Sequence, residues 1–366
     1  MKNTKRILCS LLAAVLLLSV MLSGCSMPKI TLPGTGDVAA TGDVELSTDE
    51  YLAYLYNEFY NMYYNQGLYQ YEMYYQDYDV WAQSYTYGEG DDAEKLLFSD
   101  YIIRAAQDYV KRQIALEKLM DENKLDWLEK DVKDLEADIK EMGKDAYLTL
   151  GISDENFLTV YKDISLNERG AFYGLYGKDG PREVKEEDLK KYFTDNYLSY
   201  KMISISLTNS EGKELDAEGK KKITDQLNGY LDKYNADKNF EAVMDEYNKS
   251  NAKEGEEVTA TKDEDNRRDY DANDMDENLV KAIRDIEVGS AKVVEYKSGG
   301  STPTAALIVR LDINEPAKLY IDSYEAILSS LKYEEFNEEV EKLTKEVDLT
   351  FNKKVVKKCK PENFLQ

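Results

Sequence analysis

The groups that could carry chemistry in this 366-residue chain are 72 carboxylates, 30 tyrosines and three cysteines; histidine is absent. Without imidazole, Ser-His and Cys-His nucleophilic catalysis, His-containing zinc sites and imidazole acid–base chemistry are all excluded. The carboxylates run along the whole chain, and no spacing among them selects a pair for general acid–base work. Asp269, Asp271 and Asn273 hold the first three ligand spacings of a calcium loop. The position that must be glycine is Asp274, however, and the twelfth is Val280, so a solvated acidic loop is expected and no metal. No cofactor is expected either. Cys359, among the lysines of KKVVKKCK, reads as an exposed tail residue, with a lowered thiol pKa as the alternative.

The N-terminus addresses location. Lys2, Lys5 and Arg6 form a positive n-region and Leu11 to Val20 a short apolar h-region, the pattern of a secretory signal. Leu22-Ser23-Gly24-Cys25 follows and resembles a bacterial lipobox, in which the cysteine is acylated and becomes the new N-terminus. Residues 1–24 are then the signal, and 25–43, rich in Pro, Gly, Thr and Ser, a lipidated flexible tether with a reach of about 20–25 Å. Cys359 is left without a disulfide partner. The expected location is the extracytoplasmic face of a bacterial cell membrane. The formal charge of −25 becomes −28 once Lys2, Lys5 and Arg6 are removed, which argues against nucleic acid as a partner.

The tyrosines are concentrated. In YLYNEFYNMYYNQGLYQYEMYYQDY, Tyr54 to Tyr78, ten of twenty-five residues are tyrosine. Leu52, Leu55, Phe59 and Met62 account for one buried helical stripe. Tyr54, Tyr60 and Tyr64 cannot all share it at 100° per residue, so some rings must meet a second partner or solvent. Tyrosine offers large contact area at low entropy cost and a hydroxyl that tolerates water, which suits adaptable binding. Candidate contact residues are Tyr54, Tyr56, Tyr60, Tyr63, Tyr64, Tyr71, Tyr74, Tyr75, Tyr78 and Trp81. The alternative is packing against one another or against a C-terminal helix around Tyr320, Tyr324 and Tyr333.

The elements that must position these residues are mostly helical. Ser47 and Glu50 form a capping-box spacing ahead of the first helix, which Gly67 should break. Longer helical patterns follow within Asp91 to Lys124, Leu125 to Met142 and Ser153 to Tyr176. Near Val184 the character changes. A short helix, Glu186 to Asn196, precedes a strand pattern from Tyr200 to Leu207, then two helices. A polar acidic loop, Ser250 to Met275, leads to a helix through Leu279, Ile283 and Ile286. Strands Val293 to Tyr296 and Ala306 to Leu311 come next. A helix after Pro316 runs to about Lys345, and Val347 to Phe351 forms a last strand expected to pair with Val44 to Leu46.

This order of elements resembles the extracytoplasmic foldases and chaperones of the PrsA and SurA type. GDVELSTDEYLAYL is similar to the strand and helix that open that family, and VKEEDLKKYFTDNYLSYKMISISL to the lead into its first parvulin strand. KNFEAVMDEYNKS, DENLVKAIRDIEVGSAKVVEYKSGG and ALIVRLDI are similar to later parvulin elements in the same order. The resemblance implies an α+β fold, predominantly helical. A SurA/PrsA-like helical domain, 44–182, would be completed by a C-terminal helix and strand, 316–366, with a parvulin-like domain inserted at 183–315.

It further implies a membrane-anchored chaperone that holds unfolded or partly folded secreted polypeptides, without ATP or metal. Parvulin isomerases of this family carry a histidine in the first strand and another in the last; the equivalent positions here are Ser204 and Leu307. The glycine-rich stretch is replaced by a charged run, so the resemblance points to a degenerate domain without isomerase chemistry. An active prolyl isomerase using a non-histidine pocket, and a surface lipoprotein with one dedicated partner, remain open. Oligomeric state is not read from the residues.

Overall fold

A computed structural model describes residues 37–90, 93–142, 152–252, 259–316 and 318–365. Cys25 and the rest of the lipobox, Leu22, Ser23 and Gly24, lie outside the described residues. The chain divides into two compact units, one of Met1–Glu183 with Lys332–Gln366, the other Val184–Leu331. The architecture is α+β and predominantly helical, as expected.

In the first unit, β1 (Val38–Gly42) lies between β2 (Leu46–Ser47) and β9 (Leu349–Phe351) in a three-stranded antiparallel sheet. Here the structure corrects two expectations. The strand beside β9 is β1, from the segment assigned to the tether, with Thr41 opposite Thr350 and Gly42 opposite Leu349. Val44 to Leu46 does not pair with β9; β2 adds to the far side of β1. Gly42 permits the close approach. Its φ is +156°, and a Cβ there would lie 2.1 Å from the Asp348 carbonyl oxygen. No apolar periodicity marks this strand, because its pairing is decided by a partner some 300 residues away.

Helix α1 (Thr48–Tyr60) starts on the expected capping box: the Ser47 amide donates to Glu50 Oε2 at 2.8 Å and the Glu50 amide to Ser47 Oγ at 3.2 Å. After one π-helical turn (Asn61–Asn65) and Gly67, α2 (Leu68–Tyr74) follows. A hairpin, β3 (Ser84–Tyr87) and β4 (Glu94–Leu97), then precedes α3 (Phe98–Asn123). The helix expected within Asp91 to Lys124 begins at Phe98, after Glu94 to Leu97 has paired with Ser84 to Tyr87. Helices α4 (Glu129–Met142) and α5 (Asp154–Tyr176) complete the N-terminal part.

In the second unit, α6 (Glu186–Asn196) leads into β5 (Tyr197–Ser206), followed by α7 (Ala217–Asp237), α8 (Phe240–Asn251) and the short α9 (Asp263–Asn266). Then come β6 (Arg268–Asp271), α10 (Glu277–Arg284), β7 (Ala291–Ser298) and β8 (Thr302–Leu311). The sheet order is β6-β5-β8-β7, all antiparallel. Strand β6 lies inside the stretch expected to be an acidic loop. Its four residues, RDYD, carry no alternating apolar signal and are ordered by pairing with Tyr197–Tyr200. The sheet is buried on both faces. Ile203, Leu207, Leu307 and Val309 pack with Leu227 and Tyr230 of α7 and Phe240 of α8; Leu198, Tyr200, Met202 and Ile308 pack with Ile283 of α10.

Helix α11 (Lys318–Asp322) and α12 (Tyr324–Glu346) cover the region expected to be one helix. Arg112 of α3 donates to Glu168 of α5 at 3.1 Å and to Asn337 of α12 at 3.1 Å, and the Tyr333 hydroxyl donates to the other Glu168 oxygen. The segment expected to be a basic tail is core. It forms α13 (Lys353–Val356) and a 3-10 turn (Pro361–Leu365), and buries Val355, Val356, Cys359 and Phe364.

Candidate functional site: an exposed aromatic face

Phe59 is fully buried and organises the tyrosine-rich segment. Its ring stacks on Tyr63 at 5.2 Å and on Trp81 at 6.0 Å, and meets Phe364 at 5.5 Å. Tyr56 meets Phe364 edge-on at 5.2 Å, while Tyr64 lies 4.9 Å from both Tyr60 and Tyr63. Such offset and edge-on pairs add to the area that the rings bury. Tyr54, Tyr60 and Tyr63 are therefore core, which corrects their assignment as contact residues; a second buried face, supplied by Trp81, α3 and the C-terminal segment, takes the rings that the first stripe could not. Tyr56 and Tyr64 are half-buried in the same cluster, and Trp81 is wedged between Phe59 and Phe98. Tyr320 and Tyr333, the suggested C-terminal partners, instead meet Phe193 and Phe172.

The rest of the segment turns outward. Gly67, at φ +77°, reverses the chain after the π-helical turn and starts α2 in a new direction. Glu72 fastens this short helix: one carboxylate oxygen accepts the Tyr63 hydroxyl and the other the Val80 amide at 3.1 Å. Burial and the neighbouring Glu72 carboxylate hold the Tyr63 phenol well above its ordinary pKa, so it remains the donor. With Glu72 facing inward, Tyr71, Met73, Tyr74 and Tyr75 face water, at 51%, 74%, 78% and 61% exposure. Four of the eight large exposed hydrophobic side chains among the described residues thus fall within five consecutive positions.

Tyr71 stacks on Tyr75 at 6.1 Å and contacts Tyr78 at 5.6 Å, and the Tyr78 hydroxyl lies 3.1 Å from that of Tyr85. The site is a small, partly self-supported aromatic ledge on a pinned helix. Of the candidates, the structure brings Tyr71, Tyr74, Tyr75 and Tyr78 together. Met73 was missed; its signal was the break at Gly67, beyond which the apolar phase of α1 no longer applies.

Ser204 and Leu307 occupy neighbouring strands but opposite faces of the four-stranded sheet. Leu307 is opposite Ile203 and Ser204 opposite Ala306, and Leu307 is wholly buried under α7 and α8 while Ser204 is exposed. The two cannot line one pocket. The residue directly opposite Leu307 on its face is Ile203, and a one-residue offset in matching strands by sequence exchanges the faces. Nearby, Lys201 is buried and pairs with Glu241 at 2.6 Å.

The acidic positions weighed for calcium are engaged by the protein itself. Asp269 accepts from Arg267 Nε at 3.0 Å, and Asp271 accepts the Tyr192 hydroxyl at 2.9 Å and the Asn273 amide at 2.9 Å. Cys359 corrects both of its readings. It is buried, with Sγ 3.5 Å from the Val355 carbonyl, and burial pushes its thiol up to about 11 although Lys358 opposes the shift.

No protein-family model and no curated protein matches the chain. Among solved structures, it is similar to the foldase protein PrsA from Lactococcus lactis, at 15% identity and a TM-score of 0.34, over 69% of this chain and 86% of that one. It is also similar to the peptidylprolyl isomerase PrsA from Bacillus cereus, at 19% identity and a TM-score of 0.31, over 75% of this chain and 96% of that one. For foldase protein PrsA from Streptococcus pneumoniae the values are 14% and 0.33, over 74% and 97%.

Proposed function

We propose that this protein is a membrane-anchored extracytoplasmic chaperone that holds unfolded or partly folded secreted polypeptides. The observation that carries the reading is the ledge of Tyr71, Met73, Tyr74 and Tyr75, exposed beside a cluster whose rings are buried or half-buried. Contiguous apolar exposure on a soluble body marks an interaction surface. Rings with a polar tip can contact many sequences without one register, and a client that buries its own apolar surface withdraws from them. Cys25 would carry the lipid that keeps the body near the membrane; among the described residues no helix is long and apolar enough to cross one. The unit Val184–Leu331 would act as a scaffold or binding surface without isomerase chemistry, in keeping with the absence of histidine from the chain.

The test is aggregation suppression of an unfolded secreted protein by the chain from Ser26 onward. It is run beside the triple variant Tyr71→Ser, Tyr74→Ser, Tyr75→Ser, with folding checked by circular dichroism. Suppression by the parent that is lost in the folded variant supports the reading. No suppression by the parent at several-fold excess sinks it.

A further inference from the structure

Among the described residues, strand β9 has a vacant edge. In the three-stranded sheet it is paired on one side only, with β1. The flanking bonds, Asn352 amide to Ala39 carbonyl at 2.8 Å and Asp43 amide to Asp348 carbonyl at 2.7 Å, fix which residues face β1. Even-numbered residues do so, and Leu349 and Phe351 direct their amides and carbonyls the other way. Those groups have no hydrogen-bond partner among the described residues. An unpaired strand edge is a template for another strand.

Phe351 of this strand also lines a cleft of about 640 Å³, together with Tyr87 and Glu94 of the hairpin and Arg104, Gln107 and Lys111 of α3. The volume is in the range of sites that take a ligand. Arg104 is unlike the other described arginines. Arg112, Arg169, Arg182 and Arg267 each bond a carboxylate, Arg284 and Arg310 bond carbonyls, and Arg268 bonds the Tyr200 hydroxyl. Among the described residues Arg104 has only the face of the Tyr87 ring, 5.9 Å from its guanidinium carbon. A guanidinium held over an aromatic face, with its fork of donors unused, is built to receive a carboxylate. Lys111, two helical turns along, adds a second positive group in a chain of net charge −25. Asp108 borders the cleft as well and accepts the Tyr87 hydroxyl. Together with Glu94 it opposes a densely anionic polymer and leaves room for an isolated negative charge.

We infer that this cleft is a peptide site: an extended polypeptide segment adds a strand to the outer edge of β9 and places one acidic side chain on Arg104. Backbone pairing at Leu349 and Phe351 supplies sequence-tolerant affinity, and Arg104 supplies a preference. The inference rests on the chaperone reading for its source of extended chains, and it names the segments that would be held in register rather than loosely.

The probe is a fluorescein-labelled ten-residue peptide of alternating valine and threonine with one central glutamate, followed by anisotropy against the full chain in neutral-lipid nanodiscs. Its glutamine counterpart should bind about tenfold more weakly, the loss of one charge-assisted pair. Arg104→Gln should erase that difference, and N-methylation of alternate amides along one edge of the peptide should abolish binding. Equal affinity for the glutamate and glutamine peptides overturns the role of Arg104 in the unaltered protein, whatever the variant does to folding. Undiminished binding of the N-methylated peptide overturns strand addition. Aggregation suppression measured on the same preparations separates the two readings. Suppression without peptide binding removes this site and leaves the chaperone, whereas peptide binding without suppression does the reverse.

Discussion

The hydroxyl of Tyr63 donates to the carboxylate of Glu72, nine residues along the chain, while the other oxygen of Glu72 receives the amide of Val80. This one side chain ties the outward-facing helix α2 to the buried aromatic cluster and to the turn that follows it.

Glu72→Ala is expected to leave the buried Tyr63 hydroxyl without its acceptor, at a cost of about 1–3 kcal/mol. It should also speed hydrogen exchange of amides 68–75 more than those of α3. Exchange followed by mass spectrometry checks this; unchanged protection of 68–75 would show that α2 is held by other contacts.

Phe364→Ala removes a ring that contacts both Phe59 and Tyr56. Urea unfolding followed by tryptophan fluorescence should lose about 3–5 kcal/mol, the usual range for a buried phenylalanine. Tyr74→Ser, at 78% exposure, should shift the same transition by under about 0.5 kcal/mol.

Stability should depend on pH between about 4 and about 7. Burial raises the Asp163 carboxyl to about 7, helped by the like charges of Glu117 and Glu50 and opposed by Lys162. Burial alone raises Glu58 to about 7, against a hydrogen bond from Asn57. The folded state therefore binds more protons than the unfolded one in this window. The stabilisation is full below the unfolded values near 4 and is lost as pH rises through about 7. Denaturation midpoints measured from pH 4 to 8 should fall across that range, and Asp163→Asn with Glu58→Gln should flatten the decline. A midpoint that rises with pH in the parent would contradict the assignment.

Cys359 should resist maleimide in the native protein at pH 7.5 and react promptly in urea, because burial keeps the thiol protonated and covered. Peptide mapping after labelling distinguishes it from Cys9 and Cys25; rapid native labelling would show that the C-terminal segment opens.

Much of both units was legible from residue order. The capping box at Ser47 and Glu50, the break at Gly67 and the helix Glu186–Asn196 are local events, governed by side-chain oxygens, a left-handed φ and a 3.6-residue period. The strand character of β5 was legible too, although it is buried continuously from Tyr197 to Ile203 and not on alternate residues.

Pairing and burial across distance were not. Strands β1 and β6 carry no periodic signal and exist because Leu349–Phe351 and Tyr197–Tyr200 offer them edges. Face assignment of Ser204 against Leu307 needed the register, because a slip of one residue turns every side chain over. The sequence alone determined that histidine chemistry is impossible and that tyrosines crowd Tyr54 to Tyr78. Only the tertiary structure decided which rings are core and which meet water. A ring's exposure is set by what packs against it, and for Tyr54 and Tyr56 those partners are Tyr109 of α3 and Phe364 of the C-terminal segment, elements that no local pattern could have placed beside them.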